Sequence, residues 1–318
     1  MKSIYIDCTT YLHGKIAGGN YFILSLIKAI TKGNKNNKLT IFVRKGQEIY
    51  FQEFKTKVRI YSLKVNSEIA VLAWKNLIFP LLSLRADLVI CPNNIKPLFL
   101  FTRSILIVHD LNYLYFNKNF QGLKKKLSIL LRELSLYSST INVAISNQVK
   151  LDIRKNYKKR AVKIYNSVYF KENNISKDPE DNYFKDLKYY LILTSLGCHK
   201  NITNCIKAIK QYHLNKGENS FIFIGNWESK DFKYATTGKI KALGYVDETR
   251  KSTLIKNADA ILNPSLYEGF GLPCVEAAFA QKPLIASKIE IFEEILEDYP
   301  YYINYPYSKR SILDSIYK

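Results

Sequence analysis

The stretch NPSLYEGFGLPCVEAAFAQKPLIAS, residues 263–287, sets two carboxylates, Glu268 and Glu276, around a glycine-rich loop. Gly269 and Gly271 permit tight backbone geometry and close approach of a ligand. Behind them PCVEAAFA reads as a helix with Pro273 in its first turn, where a missing N–H costs nothing. The N–H groups of such a terminus and the positive end of the helix favour an anionic or hydroxyl-rich ligand. Two carboxylates at the same place repel a bare phosphate but accept hydrogen bonds from sugar and ribose hydroxyls. This chemistry describes a ligand with hydroxyls on two rings and a phosphate between them, a nucleotide sugar. Glu276, read as part of the first turn, also suits a plain complement to the helix dipole. Glu268, in the loop five residues before the proline, has no such explanation.

Alternating strands and helices must position these residues. In the first half KSIYID (2–7), LTIFV (39–43), VRIYSL (58–63), DLVIC (87–91), SILIVHD (104–110) and TINVAI (140–145) are short β-rich runs. Amphipathic patterns between them include YFILSLIKAI, after Gly18 and Gly19, and LKKKLSILLRELSLY at 123–137. After the polar stretch KENNISKDPEDNYFKD (171–186) the rhythm restarts with YYLILTS, NSFIFIG, KALGYV, DAILNPS and KPLIAS as strands, and helices near 201–215, 248–257 and 273–280. The alternation predicts two α/β domains, each a doubly wound parallel sheet, over residues 1–165 and 166–318. Ligands of such domains sit at the carboxyl ends of the strands, and a cleft between two of them is the expected site.

A chain of 318 residues suits this division, at about 150 residues per domain. Residues 1–165 carry 28 Lys+Arg against 8 Asp+Glu, whereas residues 166–318 carry 20 against 19, so nearly all of the net charge of +21 lies in the first half. A lysine-rich genome would load both halves alike; an anionic partner of the first half explains the asymmetry. The opening MKSIYIDCTT lacks the parts of a signal peptide. The longest apolar stretch, VLAWKNLIFPLLSL (71–84), is broken by Lys75 and Pro80 and falls short of the roughly 20 residues a spanning helix needs. A cytoplasmic protein is therefore expected. The five cysteines are widely spaced without a C-x-x-C pair and read as buried thiols, not as a disulfide or zinc framework. Residues 178–181, DPED, read as a solvated turn, and no D-x-D stands at a strand end to bind a metal.

With these features in hand, the sequence resembles the retaining glycosyltransferases of the GT-B fold, family 4, whose hallmark is two glutamates separated by seven residues; Glu268 and Glu276 match it within a complete P-S-x-x-E-G-F-G-L-P-x-x-E-A frame. Weaker segments follow in the family's order: YLHGKIAGGN (11–20), IVHDL (107–111), NVAISNQVKLDI (142–153), VKIYNSV (162–168), GCHKN (197–201) and LGYVDE (243–248). The resemblance implies that Glu268 and the loop Gly269, Phe270, Gly271 and Leu272 hold the donor sugar, and that Glu276 binds the ribose. It implies Lys200 on the pyrophosphate, Gly18 and Gly19 closing over that phosphate, and His109 facing the reacting sugar from the acceptor side. Read without the resemblance, Lys200 is a solvated lysine, His109 an interior histidine and Asp110 a cap of the next turn.

Where many relatives have an arginine ahead of the lysine, Ser195 stands here, and the chain ends at Lys318 where relatives run on into further helices. The resemblance further implies retention of anomeric configuration through an oxocarbenium-like state, without metal or other cofactor, catalysis being positioning and charge stabilisation. The acceptor then belongs to the basic first domain. Lys124, Lys125, Lys126 and Arg132, on the leucine-bearing helix at 123–137, are expected to dock the protein on the inner face of the cytoplasmic membrane and to present a lipid-linked or oligosaccharide acceptor. Bacterial surface polysaccharide or lipopolysaccharide synthesis, with a hexose donor, is the expected setting. The alternatives are a non-catalytic glycosyltransferase-like subunit and a basic membrane- or nucleic-acid-binding protein; no RNP-like motif or zinc finger supports nucleic acid. Neither half carries G-x-G-x-x-G after its first strand, which argues against a dinucleotide oxidoreductase.

Overall fold

The computed structural model of the protein describes residues 2–11, 18–33, 36–65, 67–116, 122–168, 178, 184–225, 232 and 238–318, without the side chains of 18, 19, 21 and 124. The chain divides into two compact units, Met1–Ser167 and Val168–Lys318.

The first unit is built on seven parallel strands: β1 (Ser3–Asp7), β2 (Lys38–Val43), β3 (Arg59–Ser62), β4 (Leu88–Cys91), β5 (Ser104–Val108), β6 (Ile141–Ala144) and β7 (Ala161–Lys163). Their order, β3-β2-β1-β4-β5-β6-β7, reverses direction between β1 and β4, the arrangement of a doubly wound sheet. The central strands are apolar along their length, with Ile6, Ile41, Val43, Val89 and Leu106 buried, as sheets covered on both faces require. The helices are α1 (Gly18–Gly33), α2 (Glu68–Leu77), α3 (Phe79–Ser83), α4 (Leu123–Ser138) and α5 (Asn147–Tyr157). The apolar run 71–84, taken from the sequence only as too short to span a membrane, is the pair α2 and α3. The Ser67 side chain caps α2 by accepting from the Ala70 N–H, and Pro80 falls in the first turn of α3. Trp74 and Phe79 from this pair pack against Phe42 of β2.

The second unit has six parallel strands, β8 (Tyr189–Leu193), β9 (Ser220–Ile224), β10 (Ile240–Gly244), β11 (Ala260–Asn263), β12 (Leu284–Ser287) and β13 (Tyr301–Ile303), in the order β10-β9-β8-β11-β12-β13. Its helices are α6 (Ile202–Leu214), α7 (Glu248–Asn257), α8 (Leu272–Phe279), α9 (Glu290–Leu296) and α10 (Lys309–Ile316). Successive strand residues serve opposite faces. Leu191 and Leu193 join α7, α8 and α9 in one core, while Ile192 joins α6 and α10 in the other. The sheet again reverses between its first and fourth strands, where β11 pairs directly with β8. Strand β13 is three residues long and edges the sheet beside β12, too short to leave an alternating pattern in sequence. Among the described residues no helix is long and apolar enough to cross a membrane. Four cysteines are buried, but Cys198 is exposed, against the expectation of buried thiols throughout.

Candidate functional site

In a doubly wound sheet, the loops after the first and fourth strands flank the crevice at the carboxyl edge. In the second unit these loops follow β8 and β11, and they carry Lys200 and Glu268. Residues Cys198–Lys200 form a single 3-10 turn. Asn201 then adopts the left-handed conformation at φ 55°, tolerated by asparagine, and the chain enters α6. The Leu266 N–H donates to the His199 carbonyl at 2.7 Å, fastening the loop after β11 to this turn. Lys200 Nζ consequently stands 2.5 Å from Glu268 Oε1, both largely buried. The same oxygen accepts from Ser265 Oγ at 2.8 Å. Two residues singled out separately in the sequence thus form one charge-assisted pair, with Ser265 as a third member that the sequence reading did not assign.

The loop ends at Gly271, whose φ of +76° is a left-handed conformation open to glycine. A Cβ there would lie 2.3 Å from Phe292 Cε1, so packing against α9 demands glycine a second time. Phe270 is buried, and Gly269 and Leu272 are half-buried. Pro273 is the second residue of α8. Glu276 is the fifth, so it lies in the second turn and not the first, where the sequence reading put it; the first turn holds no acidic residue. Complementing the helix dipole therefore does not account for it, since that effect fades beyond the first turn. Glu276 is instead buried against Lys251 of α7, whose Nζ donates to Glu276 Oε1 at 2.7 Å and stands 2.9 Å from Glu248 Oε2. Burial pushes the Glu276 carboxyl above its usual range, and the neighbouring Glu248 adds to this, together outweighing the pull of Lys251. Lys251 is also desolvated, but the two carboxylates more than offset that and hold it as an ammonium. Ser195 lies half-buried, two residues beyond the end of β8.

In the first unit, Gly18 and Gly19 open α1, while residues 12–17 of the glycine-rich segment lie outside the described residues. His109 directly follows β5. Its backbone N–H donates to Asn94 Oδ1 at 2.7 Å, and Nε2 lies 2.7 Å from the Pro92 carbonyl. A carbonyl only accepts, so Nε2 carries the proton, and burial depresses the imidazole's pKa. The ring meets Phe22 edge-on, with centroids 4.9 Å apart. The result is a neutral imidazole whose Nδ1 is an acceptor. Asp110 accepts from the Asn112 N–H at 3.4 Å and faces Arg132 at 3.5 Å. Arg132 also lies over the Tyr113 ring, 5.9 Å from its centroid. It is therefore turned into the fold, whereas Lys125 and Lys126 are exposed, and the expected four-residue basic face does not include it. The Lys124 side chain lies outside the described residues. The exposed part of α4 carries leucines as well: Leu123, Leu127, Leu130 and Leu134.

Residues 174–317 match the glycosyl transferases group 1 family. The match covers nearly the whole of the second unit. The chain is 29% identical over 214 residues to the O-antigen chain mannosyltransferase RfbU of Salmonella typhimurium, an alignment covering 64% of this chain and 58% of that protein. The chain thus spans just over half the length of this curated relative. Among solved structures it resembles WaaG, a glycosyltransferase involved in lipopolysaccharide biosynthesis, with a TM-score of 0.73 at 15% identity over 98% of this chain and 89% of that one. It also resembles Anabaena HepE in complex with UDP and glucose, with a TM-score of 0.70 at 15% identity over 99% and 89%. The two doubly wound sheets of seven and six strands are the GT-B fold these structures share.

Two charged residues beside Glu276 escaped the sequence reading. Glu248 and Lys251 are one helical turn apart on α7, a spacing the sequence does carry. Their approach to Glu276, 25 residues further on, is set by the packing of α7 beside α8 and leaves no local signal. Asp178, read as part of a solvated turn, pairs with Arg250 of α7 at 2.9 Å; the neighbouring 179–183 lie outside the described residues.

Proposed function

We propose that the protein is a retaining hexosyltransferase that moves a sugar from a nucleotide donor to a lipid-linked or oligosaccharide acceptor in bacterial surface polysaccharide or lipopolysaccharide synthesis. The observation that carries this reading is the Lys200–Glu268 pair at the switch point of the second sheet, with Glu276 on the helix that follows. Glu268 and the loop Gly269–Leu272 hold the donor sugar, and Glu276 accepts from the ribose hydroxyls. Lys200 turns from Glu268 to the diphosphate. The bond from the anomeric carbon to the phosphate oxygen breaks as the acceptor oxygen bonds to the same face of that carbon. The acceptor's proton passes to the departing phosphate, and a nucleoside diphosphate leaves. The ammonium of Lys200 and the amides at the start of α8 meet the charge that develops, so the step calls for no metal. His109 accepts a sugar hydroxyl at Nδ1, and Ser195 takes the place beside the diphosphate where relatives carry an arginine. The protein works at the inner face of the cytoplasmic membrane. Its likeness to RfbU makes mannose the first sugar to test.

The test is to incubate the purified protein with bacterial lipid extract and labelled GDP-mannose, UDP-glucose, UDP-galactose, UDP-N-acetylglucosamine or dTDP-rhamnose. One donor is expected to deliver label to the organic phase, Lys200→Ala to slow the transfer by roughly 10²–10³, and the new linkage to keep the donor's anomeric configuration by NMR. Absence of transfer from every donor would leave the protein as a non-catalytic subunit.

A further inference from the structure

Of the largely buried ion-pair triad Glu248–Lys251–Glu276, only Glu276 has a part in the chemistry described above. Both carboxylates converge on a single ammonium, at 2.9 and 2.7 Å, with the side chains of Lys251 and Glu276 about nine-tenths buried. Burying charge is costly, and an excess carboxylate more so. Glu248 Oε1 is buried without a hydrogen-bond partner among the described residues. A purely structural contact between α7 and α8 would be better served by apolar side chains of the same volume.

We propose that Lys251 is a positioning residue for the nucleotide ribose: by binding Oε1 of Glu276 it fixes the carboxylate's rotation and favours its charged form, leaving Oε2 to accept from ribose hydroxyls. This rests on the reading of Glu276 as the ribose acceptor. A carboxylate accepts hydroxyl hydrogen bonds more strongly than a protonated acid does, so donor affinity is set by the fraction of Glu276 that is ionised. Lys251 and Glu248 set that fraction in opposite directions: the ammonium favours the carboxylate and the second carboxylate opposes it. Among the described residues no other charged group acts comparably on Glu276. Strands β11 and β12 bring no titratable side chain. The Cys274 thiol on its own helix is buried, its pKa pushed well up, and neutral. Lys200 and Glu268 act on that thiol as an opposed pair. On α9, Glu290 and Glu293 are exposed and Glu294 is half-buried.

The sign follows directly. Affinity rises with pH through the pKa of Glu276 in the free protein and is flat above it. Removing Lys251 moves that inflection to higher pH, and removing the charge of Glu248 moves it to lower pH. The test is calorimetric titration across a pH series with whichever intact nucleotide sugar of the five above binds the wild type, since its diphosphate diester does not itself titrate there. Lys251→Met is expected to weaken binding at neutral pH about tenfold, the difference between a charge-assisted and a neutral hydrogen bond, with recovery as pH is raised. Lys251→Arg should keep the wild-type inflection, and Glu248→Gln should shift it the other way. A Lys251→Met protein that loses affinity uniformly, with its inflection unmoved, would overturn the inference and leave the donor-site reading standing. A wild type that binds no donor would overturn both.

Discussion

In the proposed mechanism the Lys200 ammonium serves two partners in turn: it is held by Glu268, which also takes the Ser265 hydroxyl, and it turns to the diphosphate of a bound donor. Truncating it leaves a largely buried carboxylate uncompensated and removes charge stabilisation from the transition state. Lys200→Ala is therefore expected to lower kcat by roughly 10²–10³, the loss typical of one preorganised electrostatic group, and to change donor KM less; steady-state kinetics separates the two. Ser265→Ala, which takes one hydrogen bond from Glu268, should cost about 1 kcal/mol in kcat/KM. At this scale the two glutamates were legible because their spacing and glycine-rich frame lie within a dozen residues. Lys251 was not, because its meaning depends on a neighbour 25 positions away. Glu276 was found but misplaced by one helical position, enough to put it in the first turn, since the sequence marks Pro273 as helical without showing that Leu272 starts the helix.

The loop from β11 into α8 is where an element, and not a single contact, sets the geometry. Gly271 carries both a left-handed φ and the close approach of Phe292. Alanine there is expected to destabilise the second unit by about 2–4 kcal/mol, backbone strain and overpacking together, read as a lowered denaturant midpoint. In the first unit the end of β1 is tied to α2 by a buried pair, Asp7 and Lys75, 2.7 Å apart. Burial raises the Asp7 carboxyl, but Lys75 and two hydrogen bonds from Thr9 outweigh it and hold the pKa below the usual value. The stability this contributes is complete above the unfolded carboxylate's pKa and is lost as pH falls through the lower, folded one. Lys75→Met should cost about 3–5 kcal/mol at neutral pH, and the deficit should shrink in acid. Strands were legible at this scale because buried parallel strands are uninterrupted apolar runs. The α2–α3 pair was not, because Lys75 and Pro80 looked like interruptions of one segment, whereas one is the buried partner of Asp7 and the other starts a second helix.

Across the whole molecule the charge is lopsided, with 28 basic against 8 acidic residues in the first 165 positions. On α4 the exposed Lys125 and Lys126 lie among exposed leucines, Leu123, Leu127, Leu130 and Leu134, a composition suited to an anionic lipid surface. Replacing both lysines by alanine is expected to weaken flotation with anionic vesicles about thirtyfold, at about 1 kcal/mol per lysine. Arg132→Ala should leave flotation near the wild-type level, because Arg132 is engaged with Asp110 and Tyr113. Equal binding of the wild type to neutral vesicles would remove the electrostatic account. The charge asymmetry was fully legible in the sequence; which basic side chains reach solvent was not. The most direct test of the central claim, a nucleotide-sugar site built from Lys200, Glu268 and Glu276, is saturation-transfer NMR of the purified protein against the five donors, repeated with Glu276→Ala. The account predicts that one donor binds, with saturation on its ribose and sugar protons, and that the variant loses it. No signal from any donor, or an unchanged signal in the variant, would contradict it.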